Sequence, residues 1–153
     1  MDVTIRNALH ADLEPLVALL KELFSIEADF AVDERRQQRG LSLMLDGCGK
    51  HRCVKVAEVQ GRVVAMCTVQ LVVSTAEGAF SALVEDLVVT ESMRGLGIGV
   101  AVLAAVEAWA RQHGATRLQL LADKENQQAL IFYQKRRWLS TRLICLHKTD
   151  LKN

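Results

Sequence analysis

One segment constrains the fold more than any other: an apolar strand that runs into a glycine-rich turn and then a long helix. The strand covers Phe80 to Val89, and Gly95, Gly97 and Gly99 follow it. Glycine has no Cβ, so the backbone can turn tightly and its amides can approach a ligand closely. The first amides of a helix lack internal acceptors, and the helix dipole adds roughly half a positive charge there. The segment therefore predicts a phosphate-binding turn.

Two common phosphate-binding motifs do not match this turn. The Walker motif needs Lys and then Ser or Thr after its last glycine, whereas Val100 and an alanine follow Gly99. The dinucleotide motif G-x-G-x-x-G would need its third glycine where Val100 stands. The pattern that remains is R-x-x-G-x-G, formed by Arg94, Gly97 and Gly99.

Hydrophobic periodicity and turn-forming residues predict the other elements. Helices are predicted to begin at Asp12, Asp33, Gly97 and Asn126. The predicted strands are Val3–Asn7, Cys53–Val59, Arg62–Val73, Phe80–Val89, Arg117–Leu121 and Leu139–His147. A short turn joins two early strands and helices join the later ones, so the sheet should be mixed. The predicted fold class is α/β, of the α+β type.

Size and charge favour a single domain, residues 1–153, that does not bind nucleic acid. The chain has 153 residues, of which 50% are hydrophobic, enough for one core. Lys and Arg number 19 against 18 Asp and Glu, so the strongly basic composition of a general nucleic-acid binder is absent. Aromatic residues make up 5%, too few for the stacking platforms that bind single strands.

The chain is also expected to act in the reducing cytoplasm and not in a membrane. No stretch reaches the ~18–20 uninterrupted apolar residues that cross a bilayer, since Glu107 and Arg111 interrupt the run after Gly99. Residues 1–6 lack the basic leader and apolar core of a secretory signal. Four cysteines are then expected to be free thiols: Cys48, Cys53, Cys67 and Cys145.

Two further segments accompany the R-x-x-G-x-G turn. The acidic strand Glu85–Val89 precedes it, and an N-x-x-A-x-x-F-Y pattern runs from Asn126 to Tyr133. Together, these segments resemble the GNAT superfamily of acetyl-CoA-dependent N-acetyltransferases, whose coenzyme motif is Arg/Gln-x-x-Gly-x-Gly/Ala. The acidic strand looks like that of the diamine and polyamine acetyltransferase branch. The resemblance covers residues 80–147, and the N-terminal half agrees only in layout.

This resemblance implies a fold, a cosubstrate and a set of contacts. The sheet would be mostly antiparallel and flanked by four or so helices, and acetyl-CoA would donate the acyl group without a metal. Backbone groups around Leu87–Val89 would pair with the pantetheine arm and stabilise the oxyanion. Arg94 would reach a phosphate or, alternatively, form an ion pair with Glu91. The implied coenzyme-binding residues are Leu87, Val88, Val89, Arg94, Gly95, Leu96, Gly97, Ile98, Gly99, Val100 and Asn126.

Acetyl transfer to an amine needs a base, because an aliphatic amine with a pKa near ~10 is mostly protonated at neutral pH. Glu85 is the candidate, acting directly or through a water, because burial in an apolar strand raises a carboxylate pKa. The resemblance also implies a catalytic carboxylate at this position. Alternatively, Glu85 points to solvent from a sheet edge. Asp86, which strand alternation places on the opposite face, is the second candidate.

The departing thiolate needs a proton, and Tyr133 is the candidate acid. Its counterpart in similar enzymes lies beside the coenzyme sulfur. Asn126, Leu130 and Tyr133 are spaced i, i+4, i+7, so they share one face of a helix. The alternative is that Tyr133 packs in the core with its hydroxyl at the rim.

The acceptor is predicted to be a small-molecule amine. Glu27 and Asp29 lie near the junction of the first two helices, which in similar enzymes often forms a wall of the acceptor site. Negative charge there suits a cationic amine, and the alternative is an ordinary solvated helix end. A protein N-terminus or lysine is the second candidate acceptor. Dimers are frequent among similar proteins, so a homodimer is an assembly that the resemblance allows.

Two other classes of protein remain open. A GNAT-like domain could bind acyl-CoA without turnover, although the presence of both Glu85 and Tyr133 favours an enzyme. A nucleotide-binding protein would be stabilised by ATP or NAD more than by CoA.

Two details stand apart from this interpretation. Cys48-x-x-His51-x-Cys53 suggests a metal-ligand pattern, but zinc sites need four ligands, or three and a water, and no second cluster accompanies it. We therefore expect structural or incidental thiols there. Arg136-Arg137-Trp138 stand where similar proteins have a glycine before an aromatic residue, which affects the turn into the last predicted strand.

Overall fold

The computed structural model describes residues 1–27 and 29–152. The chain divides into two compact units, Met1–Leu120 and Leu121–Asn153. The elements of the first unit are β1 (Val3–Asn7), α1 (Leu13–Ile26), α2 (Glu34–Asp46), β2 (Arg52–Val59), β3 (Arg62–Ser74), β4 (Ala79–Val89), α3 (Ile98–Gln112) and β5 (Ala115–Gln119). The second unit contains α4 (Gln127–Gln134). None of the helices in the described ranges is long and apolar enough to span a membrane.

Five strands form one sheet in the order β1-β2-β3-β4-β5, antiparallel except for the parallel pair of β4 and β5. Gln60 and Gly61 connect β2 to β3, and their φ angles of 50° and 75° fit a two-residue type I′ hairpin turn. The crossover from β4 to β5 contains α3, since parallel neighbours need a long connection. The described residues thus contain a mixed, mostly antiparallel sheet and four α-helices, which confirms the predicted fold class.

Helices cover both faces of the sheet in the first unit. α1 and α2 pack on one face, where Leu16 and Leu41 meet Val54 and Met66 in a buried cluster. Side chains alternate along a strand, so Cys67, the neighbour of Met66, points to the opposite face, where it is fully buried. α3 contacts β2, β3 and β4. The α1–α2 face and the α3 face therefore each bury one side of the central strands.

An extra residue interrupts the pairing of β4 with β3. Met66 pairs with Val88, and Thr68 pairs with Glu85. The single residue between Met66 and Thr68 on β3 therefore lies opposite two residues of β4, those between Glu85 and Val88. Asp86, the first of those two, has a φ of 54°. This is the left-handed region, which favours glycine and costs an L residue free energy. The irregularity is a β-bulge, and it interrupts the alternation of side chains along β4.

β5 pairs with only the first part of β4. The parallel register joins Phe80 through Leu83 to β5. Among the described residues, the remaining part of β4, Val84–Val89, has no β5 partner along that edge. β5 begins at Ala115, earlier than the sequence predicts, because Gly114 ends α3 at a φ of 88° and the strand follows at once.

In the second unit, α4 ends in a Schellman motif. The amide of Trp138 donates to the carbonyl of Tyr133 at 3.1 Å, and the amide of Arg137 donates to the carbonyl of Gln134 at 3.0 Å. Arg137 occupies the left-handed position of this motif with a φ of 65°. The glycine that similar proteins have in this turn is therefore replaced by a residue that must adopt a strained backbone conformation.

The predicted strand Leu139–His147 is absent from the structure. In the described part of the second unit these residues form no strand, and Leu139, Leu143 and Leu146 are 88%, 86% and 83% exposed. A strand is stable only when a neighbouring strand takes its backbone hydrogen bonds and a core covers one face. The residue pattern has strand propensity, but none of the described strands pairs with these residues. The prediction of a strand at Leu139–His147 is therefore wrong.

Candidate active site

The predicted phosphate-binding turn joins β4 to α3 on the surface of the first unit. Gly95 and Gly97 adopt φ angles of 76° and 80°, and α3 begins at Ile98. The carbonyl of Gly97 accepts the amide of Ala101 at 3.1 Å. The amides from Ile98 to Val100 precede this first helical hydrogen bond, so they have no acceptor within the helix. They can therefore bind an anion.

Glycine is required in this turn by backbone conformation and not by lack of space. A Cβ at Gly95 or Gly97 would meet no atom within 4 Å, but L side chains rarely adopt the positive φ of these residues. Leu96, which precedes Gly97, and Val100, three residues after it, have exposed side chains. The turn therefore presents its amides on an open surface.

Arg94 is held by β4 and α1. Its Nε donates to the carbonyl of Val89 at 2.9 Å, and its Nη2 lies 3.4 Å from an oxygen of Glu22. Thr90 Oγ1 donates to the other Glu22 oxygen at 3.0 Å. The ion pair considered with Glu91 is thus replaced by one with Glu22. Sequence spacing could not identify this partner, because 72 residues separate Glu22 from Arg94.

In the described part of the first unit, no strand pairs with the backbone of β4 along its edge beside this turn. The amide of Thr90 donates to the carbonyl of Val64 at 2.8 Å, so Thr90 faces β3 and the backbone of Val89 faces the other edge. β5 does not extend along Val84–Val89. The Val88 side chain is buried in the α1–α2 cluster, so only its backbone can reach a ligand. An extended chain that carries amide groups could form hydrogen bonds with such an edge.

Glu85 and Asp86 form a pair of carboxylates on β4. Glu85 pairs with Thr68, which shares the face of Met66, so Glu85 points to the α1–α2 face. The Glu85 side chain is exposed overall. Partial loss of solvent around its carboxyl group nevertheless raises the pKa of that group, and the negative charge of Asp86 raises it further. Burial also raises the pKa of Asp86, against the opposing hydrogen bond from Thr68.

Thr68 is a site residue that no sequence motif indicated. Its hydroxyl donates to a carboxylate oxygen of Asp86 at 2.9 Å. Strand alternation predicts Asp86 on the face opposite Glu85, and this prediction is wrong. The β-bulge interrupts the alternation, and the Asp86 carboxylate reaches Thr68, which lies directly across from Glu85.

Glu27 and Asp29 lie just after α1, on the connection to α2. Glu27 is the C-terminal cap residue of α1, and Asp29 is exposed. The rings of Phe24 and Phe30 lie 5.5 Å apart in the same region. α1 covers the sheet face to which Glu85 points, and Glu27 and Asp29 follow α1 along the chain. A role for Glu27 and Asp29 in binding the acceptor stays a prediction.

Asn126 and Tyr133 belong to the second unit. The Asn126 side-chain oxygen accepts the amide of Ala129 at 3.1 Å, which confirms the predicted N-terminal cap of α4. The Tyr133 ring packs edge-on against Phe132 and Trp138, with centroid distances of 5.2 and 5.8 Å. The roles of Asn126 in coenzyme binding and of Tyr133 as an acid stay predictions.

The C-x-x-H-x-C segment brings two thiols together at the start of β2. The Sγ atoms of Cys48 and Cys53 lie 3.9 Å apart, and the His51 side chain is exposed. Within residues 1–27 and 29–152, no three side chains of His, Cys, Asp or Glu converge to hold a metal ion.

Solved structures share this architecture over nearly the whole chain. A transcriptional regulator from Bacillus halodurans C-125 has a TM-score of 0.80 and 24% identity over 96% of this chain and 100% of its own. Glucosamine-6-phosphate N-acetyltransferase from Arabidopsis thaliana has a TM-score of 0.75 and 21% identity over 98% and 99%. An aminoglycoside acetyltransferase from an uncultured soil metagenomic sample, in complex with sisomicin, has a TM-score of 0.74 and 20% identity over 98% and 97%. These likenesses show the fold.

The family of this chain is shown by a match to a family model and not by the solved structures. No curated protein sequence matches the chain. The model of the acetyltransferase (GNAT) family matches residues 16–137, a span that begins in α1, ends just after α4 and includes β4 and the glycine turn. Members of this family use acetyl-CoA as their cosubstrate. The chain therefore belongs to the GNAT family of acetyltransferases and is an acetyl-transferring enzyme.

Proposed function

We propose that this enzyme transfers the acetyl group of acetyl-CoA to a primary amine of a small molecule, and that the amine attacks the thioester directly. The observation that carries the proposal is the carboxylate pair Glu85 and Asp86, which lies on β4 shortly before the glycine turn. The reaction needs a base to deprotonate the amine and an anion-binding turn to hold the coenzyme. Both candidates lie close together along one segment of the chain.

Glu85 is the proposed base. Its raised pKa brings the carboxylate closer to the operating pH, where a base is most efficient, and its position on the α1–α2 face leaves it open to solvent and to an amine. The charge of Asp86 supports this role by raising the pKa of Glu85. Proton removal from the ammonium group takes place directly or through a water molecule. The free amine then forms the new C–N bond.

The glycine turn is proposed to bind the diphosphate of acetyl-CoA through the amides from Gly95 to Val100. Anions are stabilised at a helix N-terminus by these amides and by the helix dipole. The unpaired edge of β4 would take the pantetheine arm, and the amide of Leu87 would donate to the thioester oxygen as negative charge develops. Arg94 would then act chiefly by holding the turn, since its guanidinium is engaged with Val89 and Glu22.

Tyr133 is the proposed acid that protonates the departing CoA thiolate. A phenol can serve as the donor because its ordinary pKa near ~10 lies well above neutral pH, so its proton is present when the thiolate departs. Asn126, at the N-terminus of the same helix, is proposed to contact the pantetheine arm through its side-chain amide. Both assignments rest on the likeness of α4 to the corresponding family segment.

A cationic small amine is the proposed acceptor, because four acidic side chains lie on β4 and just after α1. Glu85 and Asp86 lie on the sheet, and Glu27 and Asp29 follow the helix that covers the same face. The acidic strand also resembles that of diamine and polyamine acetyltransferases, so diamines and polyamines are the first acceptors that we propose. The similarity to a structure named as an aminoglycoside acetyltransferase adds aminoglycosides. A protein N-terminus or lysine is the second acceptor class.

The proposed enzyme is a single catalytic domain over residues 1–153 that acts in the cytoplasm as a homodimer. Free cysteines throughout the chain agree with a reducing compartment. Size-exclusion chromatography with light scattering would test the assembly.

The test is turnover of acetyl-CoA across an amine panel, with free CoA and the acetylated product measured by mass spectrometry. The panel contains diamines, polyamines, aminoglycosides, amino acid amides, and peptides with a free N-terminus or lysine. We expect the highest kcat/KM for a small cationic amine. A peptide with the highest value would favour the second acceptor class. Coenzyme binding without CoA release on any amine would overturn the proposal in favour of a non-catalytic module.

Two substitutions assign the roles within that assay. Glu85→Gln removes the base, and Tyr133→Phe removes the acid; each should lower kcat by ~10²–10⁴-fold while the KM for acetyl-CoA changes little. Thermal stabilisation by CoA, ATP and NAD should be compared in the same preparations. Stabilisation by ATP or NAD that exceeds stabilisation by CoA would indicate a nucleotide-binding protein instead.

A further inference from the structure

Cys48 and Cys53 form a pair of thiols outside the acetyl-transfer site. Cys48 lies in the short connection after α2, and Cys53 is the second residue of β2. Their Sγ atoms are 3.9 Å apart, within hydrogen-bonding distance for sulfur. A disulfide needs a separation of about 2 Å, so the two atoms must approach by a further distance of about 2 Å. Gly47 and Gly49 flank Cys48 in this connection.

The two thiols have different access to solvent. Cys48 is partly exposed, whereas the Cys53 side chain is fully buried. A dissolved oxidant can therefore reach Cys48 before it reaches Cys53. Among the described residues, Cys53 is the one thiol close enough to react with an oxidised Cys48. The other two cysteines lack this arrangement, since Cys67 is fully buried on the α3 face and Cys145 is exposed in the second unit.

Polar neighbours favour the thiolate form at Cys48. The contact with Cys53 Sγ, the amide of Val54 at 3.4 Å and the nearby charge of Lys55 together lower the pKa of the Cys48 thiol to about 6, against the effect of burial. The same contact with Cys48, followed by burial, raises the pKa of the Cys53 thiol. The Asn7 side-chain oxygen accepts from Lys55 Nζ at 2.7 Å and from Cys53 Sγ at 3.4 Å, which fixes the position of the inner thiol.

We propose that Cys48 and Cys53 are a reversible oxidation site that reacts with hydroperoxides and closes into an intramolecular disulfide. The Cys48 thiolate attacks one peroxide oxygen and the O–O bond breaks, which gives a sulfenic acid on Cys48. The second oxygen leaves as hydroxide and becomes water with the proton that Cys48 released when it ionised. Cys53 Sγ then attacks Cys48 Sγ, the S–O bond breaks, and the hydroxyl leaves with the Cys53 proton as water. Two thiols are oxidised by two electrons, and one hydrogen peroxide is reduced to two waters.

The test is mass spectrometry of the full chain after exposure to hydrogen peroxide. We expect a loss of two hydrogens per chain that dithiothreitol restores. Trypsin can cleave after Lys50 and Arg52, which lie between the two cysteines, so a disulfide would join two otherwise separate peptides. Recovery of that linked pair supports the proposal. Oxidation of Cys145 while Cys48 and Cys53 stay reduced would overturn it.

Serine variants distinguish the two roles. In Cys53→Ser, the sulfenic acid on Cys48 has no partner and should be captured by dimedone. In Cys48→Ser, the buried Cys53 should stay reduced at the same peroxide concentration. Cys145→Ser is the matched control and should form the linked pair at the wild-type rate. Equal dimedone labelling of Cys48 and Cys145 in the Cys53→Ser protein would contradict a selective site, and circular dichroism checks that each variant is folded.

Discussion

The hydroxyl of Thr68 on β3 donates a 2.9 Å hydrogen bond to the carboxylate of Asp86 on β4, across a β-bulge in which Asp86 has a φ of 54°. The bond satisfies a buried carboxylate and opposes the rise that burial causes in the pKa of Asp86. Asp86 in turn raises the pKa of Glu85. Thr68 therefore acts on the proposed base through Asp86, as a positioning residue for the pair.

The pH dependence of activity should report on this pair. If Glu85 is the base, kcat/KM rises with pH along a limb whose apparent pKa lies above the ordinary value for glutamate, because burial and the charge of Asp86 both raise it. Asp86→Asn removes the charge, so this limb should move to lower pH. Steady-state kinetics across the acidic range would measure the shift. A limb that stays in place in Asp86→Asn, or that persists in Glu85→Gln, would contradict the assignment.

Stability should depend on the Thr68 hydrogen bond in a pH-dependent way. The folded-state pKa of Asp86 is raised, so ionisation of Asp86 removes stability as the pH rises through that pKa. Thr68→Val removes a bond that offsets this loss and should lower the free energy of unfolding at pH 7 by about 1–3 kcal/mol. The loss should shrink at acidic pH, where Asp86 is protonated in both proteins.

Urea unfolding at pH 7 and at acidic pH would measure this difference. Thr4→Val is the control, because Thr4 is an exposed residue of β1; it should change stability by less than about 0.5 kcal/mol at either pH. An equal destabilisation of Thr68→Val at both pH values would indicate a packing defect and contradict the electrostatic account.

Arg94 should contribute to coenzyme binding through the shape of the turn. Arg94→Leu removes the charged hydrogen bond to the Val89 carbonyl and the ion pair with Glu22, and should raise the KM for acetyl-CoA by roughly 10-fold. Glu22→Gln keeps an acceptor for Thr90 and loses only a half-exposed ion pair, so its effect should stay below about 5-fold. Steady-state kinetics would separate the two variants. A fall in kcat without a change in KM would contradict a holding role.

The Schellman turn after α4 should become more stable when its left-handed residue is glycine. Arg137 has a φ of 65°, so Arg137→Gly relieves about 1–2 kcal/mol of strain and costs about 0.5–1 kcal/mol of chain entropy. The net gain should be about 0.5–1 kcal/mol. Lys135→Gly, at a helical φ of −60°, should instead destabilise the protein by about 0.5–1 kcal/mol. Thermal unfolding measures both, and a loss of stability in Arg137→Gly would contradict the strain.

Local signals in the sequence predicted much of the fold. The predicted strand Val3–Asn7 has the bounds that the structure shows. The Gln60–Gly61 turn, the cap at Asn126 and the positive φ of Gly97 each follow from the chemistry of one or two residues. Such features depend on residues that are adjacent along the chain, so they can be predicted from the sequence alone.

The features that the sequence could not predict depend on distant partners. Thr68 and Asp86 are 18 residues apart, and the bulge between their strands follows from the register of the whole β3–β4 pair. The contact between Glu22 and Arg94 spans 72 residues. The predicted strand Leu139–His147 had strand propensity, but no strand pairs with it in the described residues. Propensity without a partner does not fix a structure.

The central claim is that amides at the start of α3 bind the coenzyme diphosphate. Isothermal titration of CoA should be compared between wild type, a Gly97→Val and Gly99→Val double variant, and Gly78→Ala. Gly78 has a φ of 62° with open space around it, so its substitution strains another turn to a similar extent. With all three proteins folded, we expect at least a ~10-fold loss of CoA affinity in the double variant and wild-type affinity in Gly78→Ala. Unchanged affinity in the double variant would contradict the account.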